Sequence, residues 1–315
     1  MFERLIGIVY LYHTYIVYSV ILIIVGIPAY NEEKNIAKII VKLQKVADKI
    51  IVCDDGSTDL TRVIAEKMGT VVINHPRNLG YGAAIRSIFL KAKELDCDIL
   101  VTFDADGQHR VEDIQTVLKP IITNEADIVI GSRFVNDDNK NVPKYRKVGI
   151  KTITSITNTS MNMKLTDSQS GFRAYNDKVL KDIVPSEYGM GVSTEILIKA
   201  SKRGYKIKEV PITVLYESGT STHHPVTHGI SVILSTMKFI SIEHPLKFYG
   251  IPGIIILGIG LFFIIWTIQA FTETRQIITN VSLIGIGSTI LGTMLTMTSI
   301  ILYSLVSVVR ERHSD

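Results

Sequence analysis

Cysteine, tryptophan and charge are all scarce in this chain. Its 315 residues include two cysteines, Cys53 and Cys97, one tryptophan, Trp266, and only 20% charged side chains. Two cysteines make no disulfide framework and suit a reducing compartment. The net charge is only +4. With no basic tail and no basic patch interleaved with aromatics, the sequence carries no nucleic-acid footprint. It has no internal repeat and no low-complexity tract.

The missing charge is concentrated in two places. Phe248 to Thr272 and Gln276 to Val309 contain no charged residue. Each run supplies the ~20 apolar residues that a membrane-spanning helix needs, and their C-terminal position is wrong for a signal peptide. They account for a composition that is 46% hydrophobic and a mean hydropathy of +0.27. Only Glu273 and Arg275 are charged between them, Lys247 precedes the first, and Arg310, Arg312 and His313 follow the second. The expectation is a two-helix transmembrane hairpin over 248–309. The positive-inside bias puts the preceding domain and the tail 310–315 in the cytoplasm. Leu5 to Ile27 is also nearly free of charge and admits two readings, a third span or a strand. The β-branched density of Val20–Ile27, running into Pro28 and an Asn-Glu turn, favours a strand, which leaves 1–19 as an apolar, Tyr-rich extension.

From there strands and helices alternate. Helical spacing places Ile36, Ile39, Ile40, Leu43 and Val46 on one face of a helix over Glu32–Val46. Strands are expected at Lys49–Cys53, Thr70–Asn74, Ile99–Phe103 and Asp127–Gly131. Helices are expected from Thr58-Asp59 to Met68, Gly82 to Leu95 and Val111 to Ile122. Beyond Ser132 the expected pieces are a helix at Lys144–Met161, an extended stretch at Gly171–Tyr175, a helix at Ser193–Arg203 and a strand at Lys206–Leu215. Such alternation implies an α/β fold with a mainly parallel sheet flanked by helices, spanning 20–224. The segment 225–247, with an apolar amphipathic stretch at His228–Ile240, suits an interfacial helix, although a plain packing helix has the same pattern.

Polar motifs fall at the C-terminal ends of these strands, where open α/β sheets bind ligands. The most informative is Phe103-Asp104-Ala105-Asp106-Gly107-Gln108-His109. Two carboxylates presented by a buried strand repel unless a cation offsets them. Mg²⁺ binds through one or two carboxylates plus substrate phosphates; Gln108 adds an amide oxygen, and His109 a nitrogen if Mn²⁺ is used. The second motif, Asp54-Asp55-Gly56-Ser57-Thr58-Asp59, offers Asp55 to a nucleobase imide N–H while Ser57 or Thr58 caps the next helix. The third, Ile27-Pro28-Ala29-Tyr30-Asn31-Glu32-Glu33, places Tyr30 to flank a base and Glu32 to hold ribose hydroxyls; alone it is a strand-to-helix turn. The fourth, Arg77 to Ala84, looks like a phosphate loop but lacks the Gly-Lys-Ser/Thr ending, and close helix packing explains its glycines equally well.

In this order the motifs are far more specific than any one of them. The region from Ile23 to about Gly219 resembles the family 2 glycosyltransferases of GT-A fold, most of all the dolichyl-phosphate mannosyltransferase and polyprenyl-phosphate glucosyltransferase branch. The carrying residues are the motifs at 28–32, 54–57, 78–80 and 104–108, with Gly131-Ser132-Arg133 and Ser170-Gly171-Phe172-Arg173. The resemblance implies that Pro28, Tyr30, Glu32, the Cys53 backbone and Asp55 contact the nucleoside. It implies that Asp104, Ala105, Asp106 and Gln108 face metal and diphosphate, and that Arg133 meets phosphate charge; Asp106 and Arg133 are the catalytic candidates. The branch's mannosyltransferases carry an Arg ahead of a Gly-x-Ser-Lys after the last strand. Leu215 to Thr222 has neither Arg nor Lys, and His223 and His224 stand nearby instead.

The expectation is therefore an inverting, Mg²⁺- or Mn²⁺-dependent hexosyl transfer from a GDP- or UDP-sugar to a dolichyl or polyprenyl phosphate. A lipid phosphate is already anionic and needs no general base. It needs cations, for which Arg133, Arg173, Lys199, Lys202 and Arg203 are candidates beside the plainer reading of solvated surface charge. A hydroxyl acceptor would need a base, for which Glu195 is the candidate. A processive synthase would carry Gln-x-x-Arg-Trp, but Trp266 lies inside an apolar run. A nucleotidyltransferase would carry a basic Gly-rich loop where this chain has Pro28-Ala29-Tyr30. A non-catalytic membrane partner subunit would have no need of the acidic motifs. Guanine and uracil both offer an imide N–H to Asp55, so the sequence does not choose between them.

Overall fold

The computed structural model describes residues 21–135, 144–161, 163–214, 241 and 245–311. The 1–19 extension, the His228–Ile240 stretch and His223 and His224 lie outside the described residues. The chain divides into two compact units, Met1–Thr236 and Met237–Asp315.

The first unit is built on one seven-stranded sheet: β1 (Ile23–Ala29), β2 (Lys49–Asp54), β3 (Val71–Asn74), β4 (Ile99–Thr102), β5 (Ile128–Ser132), β6 (Arg173–Asn176) and β7 (Ile207–Pro211), in the order β3-β2-β1-β4-β6-β5-β7. Pairings are parallel except those of β6, which runs antiparallel to both β4 and β5. The helices are α1 (Ile36–Leu43), α2 (Thr61–Lys67), α3 (Tyr81–Glu94), α4 (Ile114–Ile122), α5 (Lys144–Met161), α6 (Asp177–Asp182) and α7 (Val192–Lys202).

Burial on both faces is why β1, β2, β4 and β5 read as nearly continuous apolar runs. Val25, Ile27 and Ala29 of β1 join Val101 of β4, Phe103, and the buried faces of α1 and α4 in one core. The alternate residue Gly26 faces α3, so close that a Cβ there would stand 2.3 Å from Ile88 Cγ2. Ile36, Ile39, Ile40 and Leu43 of α1 are all buried, a spacing that places them on one helical stripe. Full burial of such a side chain is worth about 1.5–3 kcal/mol, and Ile40→Ala, with its cavity, costs about 2–5 kcal/mol.

Differences from the expected elements have local causes. β1 starts at Ile23 rather than Val20 and runs on to Ala29. α1 begins at Ile36 rather than Glu32, because 32–35 form a turn tied to the neighbouring loop. α2 begins at Thr61, and its cap is neither Ser57 nor Thr58. Asp59 Oδ1 instead accepts the Thr61 N–H at 2.9 Å, while Ser57 Oγ accepts the Asn31 N–H at 2.9 Å. Val111–Asp113 is a 3₁₀ turn that leads into α4.

In the second unit a π-turn at Leu246–Gly250 leads into α8 (Ile251–Thr274), and α9 (Thr279–Glu311) follows. Pro252 lacks an N–H and its ring crowds the Phe248 carbonyl, which accounts for the widened turn. Both helices are long and apolar enough to cross a membrane. Arg275, at φ +57°, ends α8. The pair packs through small residues: a Cβ on Gly260 would meet Thr289 at 2.5 Å and one on Gly292 would meet Leu257 at 2.5 Å, the close backbone approach typical of helices in lipid. Ile254, Phe262, Ile265, Leu283 and Ile301 face outward. α9 continues past the expected tail boundary to Glu311.

Candidate active site

The loops after β1 and β2 are joined side by side. Asn31 adopts a left-handed φ of +55°, and its Oδ1 accepts the Thr58 N–H at 2.9 Å. The Glu32 N–H donates to Thr61 Oγ1 at 2.7 Å, and the Glu33 N–H to Asp59 Oδ2 at 3.1 Å. Asx-type bonding of this kind offsets the cost of a non-Gly residue at positive φ. Pro28 is buried opposite Cys53 in the β1–β2 ladder, and Tyr30 is exposed beside it. Glu32 Oε2 accepts from Asn35 Nδ2 at 2.9 Å. Burial raises the Glu32 pKa against that bond, with the charges of Asp106, Asp59 and Asp104 adding to the rise.

At the end of β2, Asp54 and Asp55 are both buried. Asp54 Oδ1 has no hydrogen-bond partner among the described residues. Asp55 holds the turn before α3: Oδ1 accepts the Leu79 N–H at 3.0 Å and Oδ2 the Gly80 N–H at 2.9 Å. His75 Nδ1 lies 2.6 Å from Asp55 Oδ1, and its Nε2 lies 2.9 Å from Ser87 Oγ. The Cys53 side chain is buried, with its thiol pushed up to about 12 by burial and the Asp55 and Asp54 charges. Only its backbone can serve a ligand.

Beyond β4 the chain presents the acidic pair. Tyr81 OH donates to Asp104 Oδ1 at 3.0 Å, and His109 Nε2 lies 3.3 Å from Oδ2. Burial raises the Asp104 pKa, but the His109 bond and charge, the Tyr81 hydroxyl and the Arg133 charge together hold it below the ordinary carboxylate value. The carboxylate lies over a bare backbone: a Cβ on Gly171 would stand 2.6 Å from Asp104 Oδ2 and 2.5 Å from Tyr81 OH. Ala105 points into the core. Asp106 Oδ1 accepts the Gln108 N–H at 2.9 Å. His109 packs between Phe103 and Phe172, and its buried Nδ1 has no partner among the described residues.

Arg133, just past β5, is clamped by a carboxylate. Its Nε and Nη2 donate to Asp167 Oδ2 and Oδ1 at 2.6 and 2.8 Å, the bidentate geometry that fixes a guanidinium plane. Asp167 is itself buried, which raises its pKa, but Arg133 holds it below the usual value. Glu209 of β7 accepts the Thr166 and Asp167 N–H groups at 2.7 and 2.8 Å, so the clamp is anchored in the sheet.

The donor set fits a hard divalent cation. Carboxylates at Asp104 and Asp106 and an amide at Gln108 offer oxygen donors within one short turn after β4. Among the described residues no three His, Cys, Asp or Glu side chains form a group able to hold the ion by themselves.

Other candidates turn out to be framework. Arg173 is fully buried and donates to the Ser170, Ser193 and Ser168 carbonyls at 2.8, 2.9 and 2.7 Å. Glu195, also buried, accepts from the Ser186 and Glu187 N–H groups and the Ser186 hydroxyl and pairs with Lys199 at 2.6 Å. Arg203 pairs with Asp182 at 2.8 Å on the surface. The glycine turn opening α3 does not present its N–H groups to a phosphate. Gly82 N donates to the Tyr188 carbonyl at 2.8 Å, and a Cβ on Gly82 would stand 2.1 Å from the Glu187 oxygen. Sequence reasoning missed His75, Tyr81, Asp167 and Glu209. The one available signal was the position of His75 and Tyr81 on either side of the Asn-Leu-Gly turn.

Residues 24–184 match the family model described as Glycosyl transferase family 2. An uncharacterized protein of Methanocaldococcus jannaschii is 39% identical over 217 residues, covering 67% of this chain and 86% of that protein. The UDP-N-acetylglucosamine–dolichyl-phosphate N-acetylglucosaminyltransferase of Methanococcus voltae is 38% identical over 239 residues, covering 69% of this chain and 93% of that protein. Glucosyl-3-phosphoglycerate synthase from Mycobacterium tuberculosis, crystallised with Mn²⁺, UDP-glucose and phosphoglyceric acid, matches with a TM-score of 0.54 at 20% identity, over 69% of this chain and 79% of that one. The last likeness is one of fold.

Proposed function

The chain belongs to glycosyl transferase family 2, and from that membership we propose that it transfers a hexose, mannose or glucose, from a GDP- or UDP-linked donor to a dolichyl or polyprenyl phosphate. The reaction is inverting and divalent-metal-dependent, and it takes place at the cytoplasmic membrane face. The observation that carries this reading is the gathering of the Tyr30–Glu32, Asp55, Asp104–Gln108 and Arg133 loops at the ends of β1, β2, β4 and β5. The acceptor class is supported by the Methanococcus voltae relative, which is named for transfer to dolichyl phosphate, and by the two apolar helices.

In this account Tyr30 flanks the base, Glu32 holds ribose hydroxyls, and Pro28, the Cys53 backbone and Asp55 complete the nucleoside contacts. Asp104, Asp106 and Gln108 would hold Mg²⁺ or Mn²⁺, with Ala105 offering only backbone. Bound there, the ion supplies charge stabilisation for the departing diphosphate. Arg133, fixed in plane by Asp167, meets phosphate charge. Glu195, the base a hydroxyl acceptor would require, is engaged by Ser186, Glu187 and Lys199. An acceptor that carries its own negative charge needs no such base. A membrane anchor on the same chain raises the effective concentration of enzyme and lipid acceptor.

The test is a panel of radiolabelled GDP- and UDP-hexoses with the detergent-solubilised full chain and polyprenyl phosphate, with and without EDTA. Transfer from one donor class, abolished by EDTA, is expected. Full activity in EDTA would remove the metal from the account, and no transfer from any donor would remove the reaction.

A further inference from the structure

We propose that the nucleotide site selects uracil over guanine, and that His75 is the residue that sets this choice. The inference rests on the reading that Asp55 contacts the base, and it deepens that reading by naming which base.

An ionised carboxylate only accepts hydrogen bonds, at about four lone-pair positions. On Asp55 three are filled from within the protein. The Leu79 N–H and His75 Nδ1 meet Oδ1 at 3.0 and 2.6 Å, and the Gly80 N–H meets Oδ2 at 2.9 Å. One position remains, on Oδ2, in a side chain that is only 6% exposed. His75 does not swing away to release another, because its Nε2 lies 2.9 Å from Ser87 Oγ and 3.6 Å from Cys53 Sγ. Facing a carboxylate, which only accepts, Nδ1 is the donor to Asp55, and the Ser87 hydroxyl can meet Nε2 as donor or acceptor.

Uracil presents a single N–H on this edge, flanked by two carbonyls. Guanine presents its ring N–H and exocyclic amine side by side and requires two acceptors. A site with one open acceptor pairs uracil's N–H and leaves one guanine donor without a partner on the Asp55 carboxylate. An unpaired donor in such a place weakens binding by about tenfold or more. Removing the imidazole frees the second position on Oδ1 and restores a two-acceptor edge.

The experiment is calorimetric titration of the full chain in detergent micelles, with Mg²⁺ present, using UDP and GDP. UDP is expected to bind at least about ten times more tightly than GDP. His75→Ala should move the ratio towards one by favouring GDP, and Ser87→Ala, which leaves the ring in place but loosens it, should move it in the same direction by less. The UDP/GDP ratio is a readout that a merely structural loss, lowering both affinities together, does not shift. Should His75→Ala fail to fold, the wild-type ratio and Ser87→Ala still decide. GDP binding as tightly as UDP, or an unchanged ratio in both variants, overturns the inference while leaving the donor reading intact. Binding of neither nucleotide overturns the donor reading and this inference with it.

Discussion

Gly171→Ala probes the acidic site without removing any of its functional groups. Gly171 lies under the Asp104 carboxylate and the Tyr81 hydroxyl, and a Cβ there would stand 2.5 Å from Tyr81 OH and 2.6 and 2.8 Å from the two Asp104 oxygens. Gly171 is not among the positive-φ glycines, so alanine carries no backbone strain and the whole effect is the methyl. Ordinary contact begins near 3.4 Å, so the carboxylate and hydroxyl must retreat by roughly 0.6–0.9 Å, and displacements of about 1 Å cost ~10²-fold in rate. Asp104 is 26% exposed at its side chain and has room to move outward, so the stability loss should sit at the low end of the ~1–3 kcal/mol for overpacking. The assays are sugar transfer, Mn²⁺ affinity in the presence of nucleoside diphosphate, and thermal unfolding. A ~10²-fold slower enzyme with weakened Mn²⁺ affinity and a nearly unchanged Tm is the expected result. Wild-type rate and Mn²⁺ affinity in a folded Gly171→Ala protein would refute the idea that this carboxylate's position matters.

Glu195→Gln should destabilise the protein by about 1–3 kcal/mol, because a neutral amide replaces a buried carboxylate that accepts from two N–H groups and a hydroxyl; an unchanged Tm would contradict this. Glu32 behaves oppositely. Burial and the neighbouring carboxylates raise its folded pKa, so its contribution to stability is present below the unfolded pKa and is lost as pH rises through the folded value. At pH 7 Glu32→Gln should therefore gain stability, by less than about 1 kcal/mol for a half-buried group, while weakening donor binding. The gain should shrink below pH ~4.5, and a gain independent of pH would refute the assignment. For topology, a cysteine at Thr274 should react with an impermeant reagent from outside and one at Ser314 should not; labelling of both from one side would refute the hairpin.

Which parts of this could be read from sequence follows from which interactions are local. Apolar runs ending in Asp54-Asp55 and Asp104-Ala105-Asp106 mark buried strands and the edge where ligands bind, because a strand buried on both faces has few alternatives in composition. The reversal of β6 left no such mark, since a short run such as Arg173–Asn176 looks the same in either direction. The start of α2 was misplaced because Ser57, a good cap by type, is drawn to the Asn31 N–H 26 residues away. Charge was the least legible. Arg173 and Glu195 look like site residues, yet the carbonyls of Ser168, Ser170 and Ser193 and the N–H groups of Ser186 and Glu187 take them into the framework, through irregular turns that have no sequence period. Arg133 differs from them because its partner, Asp167, fixes it without burying it: the Arg133 side chain is 17% exposed and that of Asp167 is 0%. Tyr81 and His75 act on Asp104 and Asp55 across about twenty residues of chain, a separation that no local pattern encodes.

The most direct measurement follows the label. The purified full chain is supplied with a radiolabelled nucleotide-hexose, Mg²⁺ and polyprenyl phosphate, the product is extracted into organic solvent, and the extract is treated with mild acid. The account predicts label in the organic phase that is released as free hexose by the acid, as a sugar on a lipid phosphodiester would be, with no label transferred when polyprenol replaces its phosphate. Label that stays in the aqueous or protein fraction, or equal transfer to the unphosphorylated alcohol, would contradict it.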